Sequence, residues 1–431
     1  MFRGEKNLND LNRIELHQKA FDLVYAQRRK ESHPVRFPLE DIDQFHWDRG
    51  DHGDRVYSYF YRRFSVFLLV LLQVKDSQRI LNIGCGFGFD EKNLTHLYSD
   101  LDIWSIDISS EMILKAMENQ CPSKLCLSLA EALPFADGCF DRIIAREVIE
   151  HVHSPEAMLK EMARCLKPGG LAVVTTEFES SVALTHFYSK FFYQRWARLL
   201  GQRLPKAPYQ NKPPLLTEMK EWAKSSGLLL ENVIWDGALY QFCTSLLFQK
   251  IFKSKTVAVA RFFSHLENSG SIERFFCDQV KFALRKPLSG KGSMSNLNSM
   301  DYRCPICHGA FEDLPNGKRC PFCRKIYPYT NEGILNFIVY DFTFAEATDR
   351  HEEKMEEQGN SGKRLSQKMK KAIFRSVHLL TYWTYLFLIF FVATVWVFCR
   401  LLFKKSELGA ALNLDEKLAG YLRIGGKGFS Q

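Results

Sequence analysis

The sequence predicts an α/β fold around a mainly parallel sheet, followed by a small cysteine-held module and an apolar segment of membrane-spanning length. Three observations carry this reading. Short β-branched runs alternate with helix-like stretches between Arg79 and Thr176. Cys304, Cys307, Cys320 and Cys323 recur as two Cys-x-x-Cys pairs, and Ser376–Cys399 contains no Asp, Glu, Lys or Arg. With 431 residues there is room for two or three domains, and 46% hydrophobic with 25% charged residues is the composition of a globular chain with a full core. A net charge of +9 is compatible with nucleic acid, an anionic membrane surface or simply a soluble exterior.

Residues 1–40 form a polar extension with one short helix expected around Leu11–Arg28. The N-terminus has no apolar h-region, so no secretory signal is expected. Seven cysteines (Cys85, Cys121, Cys126, Cys139, Cys165, Cys243 and Cys277) are scattered as buried free thiols usually are, which argues against a disulfide scaffold and for a reducing, cytosolic setting. Phe64–Val74 is too short to cross a bilayer and reads as a buried helix. RILNIG (79–84), LDIWSID (101–107), DRIIA (141–145) and LAVVTTE (171–177) read as strands separated by helices, hence a parallel sheet with both faces covered. Leu166-Lys167-Pro168-Gly169-Gly170 reads as a turn ahead of the last of these. Leu216–Ser226 has helical spacing with Thr217 as its expected cap, and strand-like runs follow at 228–235 and Gln279–Leu284. The domain organisation is then a catalytic-type domain over 41–287, a Gly/Ser/Asn-rich linker over 288–300, and the cysteine module over 301–340. A charged linker over 341–375, the apolar segment over 376–402 and a tail over 403–431 complete it.

Asn82-Ile83-Gly84-Cys85-Gly86-Phe87-Gly88 follows one expected strand and precedes a helix. Glycines there permit a tight turn and a close approach of backbone to ligand, and the helix start offers free N–H groups. Such loops serve dinucleotide enzymes as well. Asp107 ends the next strand, 23 residues after Gly84, where a carboxylate can accept two ribose hydroxyls. Ala130-Glu131-Ala132-Leu133-Pro134-Phe135, then Glu147-Val148-Ile149-Glu150-His151, follow in order. These motifs together resemble class I S-adenosylmethionine (SAM)-dependent methyltransferases, especially the branch acting on quinones and small molecules, over roughly residues 60–180. The resemblance implies a Rossmann-like seven-stranded methyltransferase fold. It implies that Asn82, Gly84, Cys85, Gly86 and Gly88 lie along the cofactor's amino-acid part, and that Asp107 holds the ribose. It further implies that Ile108 and Met112 flank the adenine, that Ala130 and Glu131 border its edge, and that Glu147 lies alongside. Two positions depart from the family pattern: Asn82 stands where an acid is usual, and Leu129 where an Asp often precedes Ala-Glu. His151 is the candidate general base for a hydroxyl acceptor, with a packed or capping histidine as the alternative. Glu147, Glu150 and His151 also match a pattern that some quinone O-methyltransferases link to a divalent metal.

The two Cys-x-x-Cys pairs are separated by twelve residues, and four thiolates satisfy one tetrahedral zinc with no open position, so the expected zinc is structural. Tyr327-Pro328 and Gly333-Ile334-Leu335 resemble small zinc ribbons fused to or partnered with methyltransferases, some of which modify RNA. His308 and Arg324 stand where glycines often follow such knuckles. The apolar segment reaches roughly 36 Å as a helix, enough for a hydrocarbon core of about 30 Å. Tyr382, Trp383 and Trp396 suit its interfaces, and Lys and Arg flank both ends. The expectation is therefore a single-pass membrane enzyme, catalytic side cytosolic, that binds SAM and methylates a small-molecule, lipid, quinone or lipid-linked acceptor. An RNA methyltransferase that grips nucleic acid through its ribbon, and a non-catalytic scaffold of the same fold, are the alternatives.

Overall fold

The computed structural model describes residues 71–177, 214–236, 279–288 and 302–338, together with Gln18 and Leu68. Most of the helix expected at 11–28, the linkers over 289–300 and 341–375, the apolar segment 376–402 and the tail lie outside the described residues. Among the described residues no helix is long and apolar enough to cross a membrane. Two compact units divide the chain, and the first (Met1–Phe178, Pro208–Ile234, Val280–Thr343) holds both the main sheet and the cysteine module.

Seven strands build the main sheet: β1 (Arg79–Ile83), β2 (Asp102–Asp107), β3 (Lys124–Leu127), β4 (Phe140–Arg146), β5 (Leu166–Glu177), β6 (Leu229–Asp236) and β7 (Gln279–Arg285). Their order is β3-β2-β1-β4-β5-β7-β6, and β1 to β5 pair in parallel. The β-branched runs explain why this sheet is covered on both sides. Successive strand residues face opposite ways, yet Ile143 and Ile144 in β4, and Ile80 and Leu81 in β1, are all fully buried. Helix α1 (Phe89–Leu97) follows β1, and α2 (Ser110–Glu118) follows β2. In α2 the Ser109 hydroxyl accepts the Met112 N–H at 3.3 Å, capping the helix start. Helix α3 (Pro155–Cys165) begins after Ser154, whose hydroxyl accepts the Ala157 N–H, with a proline in its first turn where no donor is needed.

Three details differ from the sequence reading. The last helix among the described residues, α4 (Leu216–Ser225), begins after Leu215 and not at a Thr217 cap; its first turn is closed by the Leu215 N–H donating to Glu218 Oε2 at 2.9 Å. Lys167–Gly170, expected as a turn before β5, falls within that strand as a bulge: Leu166 pairs with Phe140 and Leu171 with Arg142, and the register shifts between them. Strand β3 has four residues and no apolar alternation, so the sequence pattern does not mark it, yet it forms the sheet edge.

The expected buried helix over 64–74 is described only at Leu68 and Leu71–Val74. Leu68, Leu71, Leu72 and Val74 pack in one cluster with Ile80, Ile103, Ile144 and Val173. Arg142, inside β4, donates through Nε to Leu72 O at 2.7 Å and through NH2 to Gln73 O at 3.0 Å, so a guanidinium satisfies carbonyls at the end of that segment. Arg142→Ala is expected to lower the unfolding free energy by about 1.5–3 kcal/mol, the range for hydrogen bonds to a charged group. The check is a urea melt with unchanged m; a midpoint equal to the parent would show that the segment does not depend on this residue.

The cysteine module has its own antiparallel sheet of β8 (Glu312–Leu314), β9 (Gly317–Arg319) and β10 (Ile326–Pro328). Its two knuckles repeat one turn. His308 N–H donates to Cys304 O at 2.8 Å, and Arg324 N–H donates to Cys320 O at 2.9 Å. His308 and Arg324 both adopt positive φ, 57° and 61°, the geometry that glycine usually supplies at such places.

Candidate functional site

In an open parallel sheet the chain leaves β1 in one direction for β2 and β3, then returns to place β4 on the other side of β1. The loops after β1 and β4 diverge at that reversal and open a crevice at the carboxyl ends of the strands. A cavity of about 390 Å³ occupies this position. Its wall draws on the loop after β1 (Gly84, Cys85, Gly86), the end of β2 (Asp107, Ile108), Met112 of α2, Ser128–Glu131 after β3, and Arg146–Val148 with His151 after β4.

Two glycines shape the first loop. Gly84 has φ 70°, and a Cβ on it would lie 2.4 Å from Val148 Cγ2, so the loops after β1 and β4 approach through the missing side chain. Gly86 has φ 53° and faces open space, leaving its backbone bare to the cavity. Asp107 fixes this arrangement. Its Oδ2 accepts the Gly86 N–H at 3.0 Å and its Oδ1 accepts the Ser109 N–H at 2.9 Å. Because each carboxylate oxygen can accept more than one bond, the group still has capacity for hydroxyls of a ligand.

Among the residues expected at a cofactor, Gly84, Cys85, Gly86, Asp107, Ile108, Met112, Ala130, Glu131 and Glu147 all line the cavity, as does His151. Asn82 and Gly88 do not. Asn82 is buried behind the loop, where its Nδ2 donates to Glu91 Oε1 at 2.8 Å, and Gly88 is the N-cap of α1 and packs on Cys121. An uncharged side chain at position 82 fits this role, since it faces a carboxyl rather than the cavity. Leu129 lines the cavity and is 2% exposed, so an apolar wall stands where the family pattern often has a carboxylate. Cys85 also lines it; burial, reinforced by the Asp107 charge, holds its thiol well above the ordinary range and therefore neutral.

Glu147, Glu150 and His151 are not assembled as a metal site. Glu147 Oε1 accepts the Thr175 hydroxyl at 2.9 Å and Glu150 Oε2 accepts the Thr176 hydroxyl at 3.0 Å, which turns both carboxyls toward β5. Burial raises the pKa of both, and for Glu150 the nearby Glu147 charge adds to the effect. Among the described residues, the one group of three or more ligand atoms that converges is Cys304, Cys307, Cys320 and Cys323, whose sulfurs all lie within 4.8 Å of one another. A tetrahedral zinc with arms of about 2.3 Å sets its sulfurs about 3.8 Å apart, so the thiols are spaced for such an ion. Cys304–Cys323 and Cys307–Cys320 are each 3.4 Å apart.

Sequence reasoning missed the Asp90–Arg146 ion pair at 2.8 Å, whose members both line the cavity with little exposure. Nothing in the spacing of an acid on α1 and a base ending β4 marks them as partners. It also missed the contact between the cysteine module and the main sheet, since the module reads as a separate domain beyond a linker. Leu127 N–H donates to Leu335 O at 3.0 Å, and Phe337 N–H donates to Leu127 O at 2.8 Å.

The family described as "Methyltransferase domain" matches residues 81–174. The ubiquinone biosynthesis O-methyltransferase of Xanthomonas euvesicatoria pv. vesicatoria is 27% identical over 169 residues, 38% of this chain and 66% of that protein. Phosphoethanolamine N-methyltransferase 3 of Arabidopsis thaliana is 29% identical over 109 residues, 24% of this chain and 22% of that protein. Both matches thus span less than two thirds of the relative's length. Among solved structures, Haemonchus contortus phosphoethanolamine N-methyltransferase 2 in complex with S-adenosyl-L-methionine aligns at 19% identity and TM-score 0.38, over 57% of this chain and 60% of that one.

The carboxyl behind the loop sets a pH dependence. Glu91 Oε1 accepts from Asn82 Nδ2 and from the Ser105 hydroxyl, while Glu91 Oε2 and Asn82 Oδ1 are buried without partners. Burial raises Glu91 from 4.5 to about 7, and Glu131 likewise. The folded state then holds protons that the unfolded state releases between about pH 4.5 and 7, so stability is full below that window, falls across it and levels off above. Glu91→Gln, neutral throughout, is expected to remove about 3 kcal/mol of this fall while Glu131 keeps its own share. Urea melts at pH 5 and pH 8 test this; equal pH slopes in the parent and the variant would show that Glu91 ionises normally.

Proposed function

We propose that the chain carries a class I SAM-dependent methyltransferase domain and methylates a small-molecule, lipid, quinone or lipid-linked acceptor at a membrane. The observation that carries this reading is the crevice at the strand-order reversal, where the bare Gly86 backbone meets Asp107 and an apolar wall of Ile108, Met112 and Leu129. SAM held there would present an electrophilic sulfonium methyl; an acceptor heteroatom aligned behind that carbon would take it as the S–CH3 bond breaks, leaving S-adenosylhomocysteine. In this reading Asp107 binds the ribose hydroxyls while keeping Gly86 in place. Ile108 and Met112 sandwich the adenine, and Ala130 and Glu131 border its edge. The buried walls exclude water and hold the reactants close, which accounts for much of the acceleration in a reaction of this type.

His151 lines the same cavity, in a turn closed by its own N–H donating to Val148 O at 2.8 Å. We assign it the proton of a hydroxyl acceptor as the methyl arrives. The four convergent cysteines are read as a closed structural zinc site. The membrane assignment rests on the uncharged run Ser376–Cys399 with its flanking Lys and Arg. An anchor of this kind raises the local concentration of an insoluble acceptor. A catalytic part on the cytosolic side would meet both SAM and a reducing medium for the thiolates. The names of the two relatives describe acceptors of this general kind, a quinone precursor and a lipid headgroup precursor.

Detergent-solubilised full-length protein incubated with methyl-labelled SAM and a lysate of its source is expected to place label in the organic-extractable fraction. Label in RNA instead would overturn the acceptor class. Asp107→Ala is expected to weaken SAM binding by about 1–3 kcal/mol in calorimetry, the range for hydrogen bonds to a charged group; unchanged affinity would remove the cofactor from this cavity. His151→Ala is expected to lower kcat by about a hundredfold or more, with KM for SAM little changed. A parent-like kcat would reduce His151 to a packing role.

A further inference from the structure

We infer that the cysteine module is the outer brace of the cofactor cavity, with Tyr302 as its positioning residue, so that metal occupancy in the module sets the affinity for SAM. This rests on the cofactor reading above and on the geometry of the sheet edge. β3 is the edge strand and has four residues, too short to be held firmly by β2 alone. The module supplies the missing neighbour. Leu127 gives its N–H to Leu335 O and its carbonyl to Phe337 N–H, in a parallel bridge centred on Asn336. The residues directly after Leu127, Ser128 to Glu131, are a wall of the cavity.

The loop that follows is gripped from both sides. From α3, Arg164 donates to Phe135 O at 2.7 Å and Leu133 O at 3.0 Å, and Glu161 accepts the Leu133 N–H at 2.9 Å. From the module, the Arg303 N–H donates to Pro134 O at 2.9 Å, and Tyr302 bridges to Phe135. The Tyr302 ring packs on Trp104 of β2 at 5.2 Å, on Phe135 at 5.8 Å and on Phe337 at 4.8 Å between centroids. A continuous path then leads back to the sulfurs. Phe337 packs on Tyr327 at 5.4 Å, and the Tyr327 hydroxyl lies 3.3 Å from Cys304 Sγ.

The module depends on its metal because it has little else. The described stretch 302–338 buries few apolar side chains of its own, chiefly Tyr327, Leu335, Phe337 and Ile338, and a unit below about 40 residues needs a metal or disulfide to hold together. Without the ion, the strand that covers β3 loses its support and the wall at 128–131 loosens. Coupling of this kind is reciprocal: if metal tightens the cofactor, cofactor must tighten the metal.

The test uses full-length protein in detergent. Zinc is removed with a chelator, and S-adenosylhomocysteine and adenosine affinities are measured by calorimetry before removal, after it and after zinc is restored. Zinc affinity is measured by equilibrium competition with the chelator, with and without S-adenosylhomocysteine. Tyr302→Ala and Tyr302→Phe are compared, with metal content confirming that the module remains folded. Removal is expected to weaken both ligands by the same factor, about tenfold or more, with recovery on restoring zinc, and bound ligand is expected to raise zinc affinity by that factor. Tyr302→Ala is expected to keep its zinc yet show the weakened affinity, and Tyr302→Phe, which retains the ring, to restore it. Ligand affinity unchanged by zinc removal, or parent-like in Tyr302→Ala, overturns the brace while leaving the cofactor reading intact. No ligand binding by the untreated parent sinks the cofactor reading, and the brace with it.

Discussion

The carboxylate of Asp107 is the contact on which the cavity depends. With one oxygen on the Gly86 N–H and the other on the Ser109 N–H, it joins the loop after β1 to the start of α2. It acts beside the Ile106 carbonyl, which accepts the N–H groups of Gly84 and Cys85 at 2.8 and 3.0 Å, and beside Asn119, whose Nδ2 donates to Phe87 O at 3.0 Å. Gly86 meets nothing within 4 Å of where a Cβ would stand, and Gly84 is free to turn because Val148 fills the space its side chain would need. A buried acid that accepts two backbone donors organises its surroundings more strongly than a solvated one, since each unmade bond there carries the full desolvation penalty. The cavity wall is therefore held largely by main-chain groups, and it has no room for a side chain at Gly84, where a Cβ would meet Val148.

Much of this was legible beforehand, and the reasons are specific. β1, β2, β4 and β5 are buried on both faces, so their centres read as apolar runs broken by few polar residues, such as Asn82 and Ser105. Asp107 was visible because it closes such a run with an acid. β3 was not, because four residues beginning with Lys124 carry no period, and its strand character comes from its neighbours. Asn82 lies on β1 as expected but outside the lining of the cavity; its side chain turns inward toward Glu91, and no local pattern announces a partner nine residues away. The knuckle positions His308 and Arg324 looked unfavourable for want of glycine, yet the turns form with positive φ at a modest backbone cost.

A second lesson concerns buried charge. Glu91, Glu131, Glu147 and Glu150 all lie beneath or beside the cavity, and burial raises each of them. The molecule manages this by giving the carboxyls neutral hydrogen-bond donors: a Ser and an Asn for Glu91, backbone N–H groups of His153 and Ser154 for Glu131, and threonines of β5 for Glu147 and Glu150. Asp90 takes the other solution and pairs with Arg146. Burial thus favours the protonated form of these four acids, while the charge of Asp90 is met internally by Arg146.

The covering of β3 has a bearing on solubility that is separate from catalysis. An open sheet edge is a template for another strand, and proteins ordinarily blunt such edges with charge, proline or a covering element. Here the N–H and C=O of Leu127 are occupied by Leu335 and Phe337. The same two contacts that shape the cavity therefore also keep this edge from recruiting a strand of a neighbouring chain. Were the module displaced, this short margin would lie open to pairing, and the polypeptide would be prone to self-association.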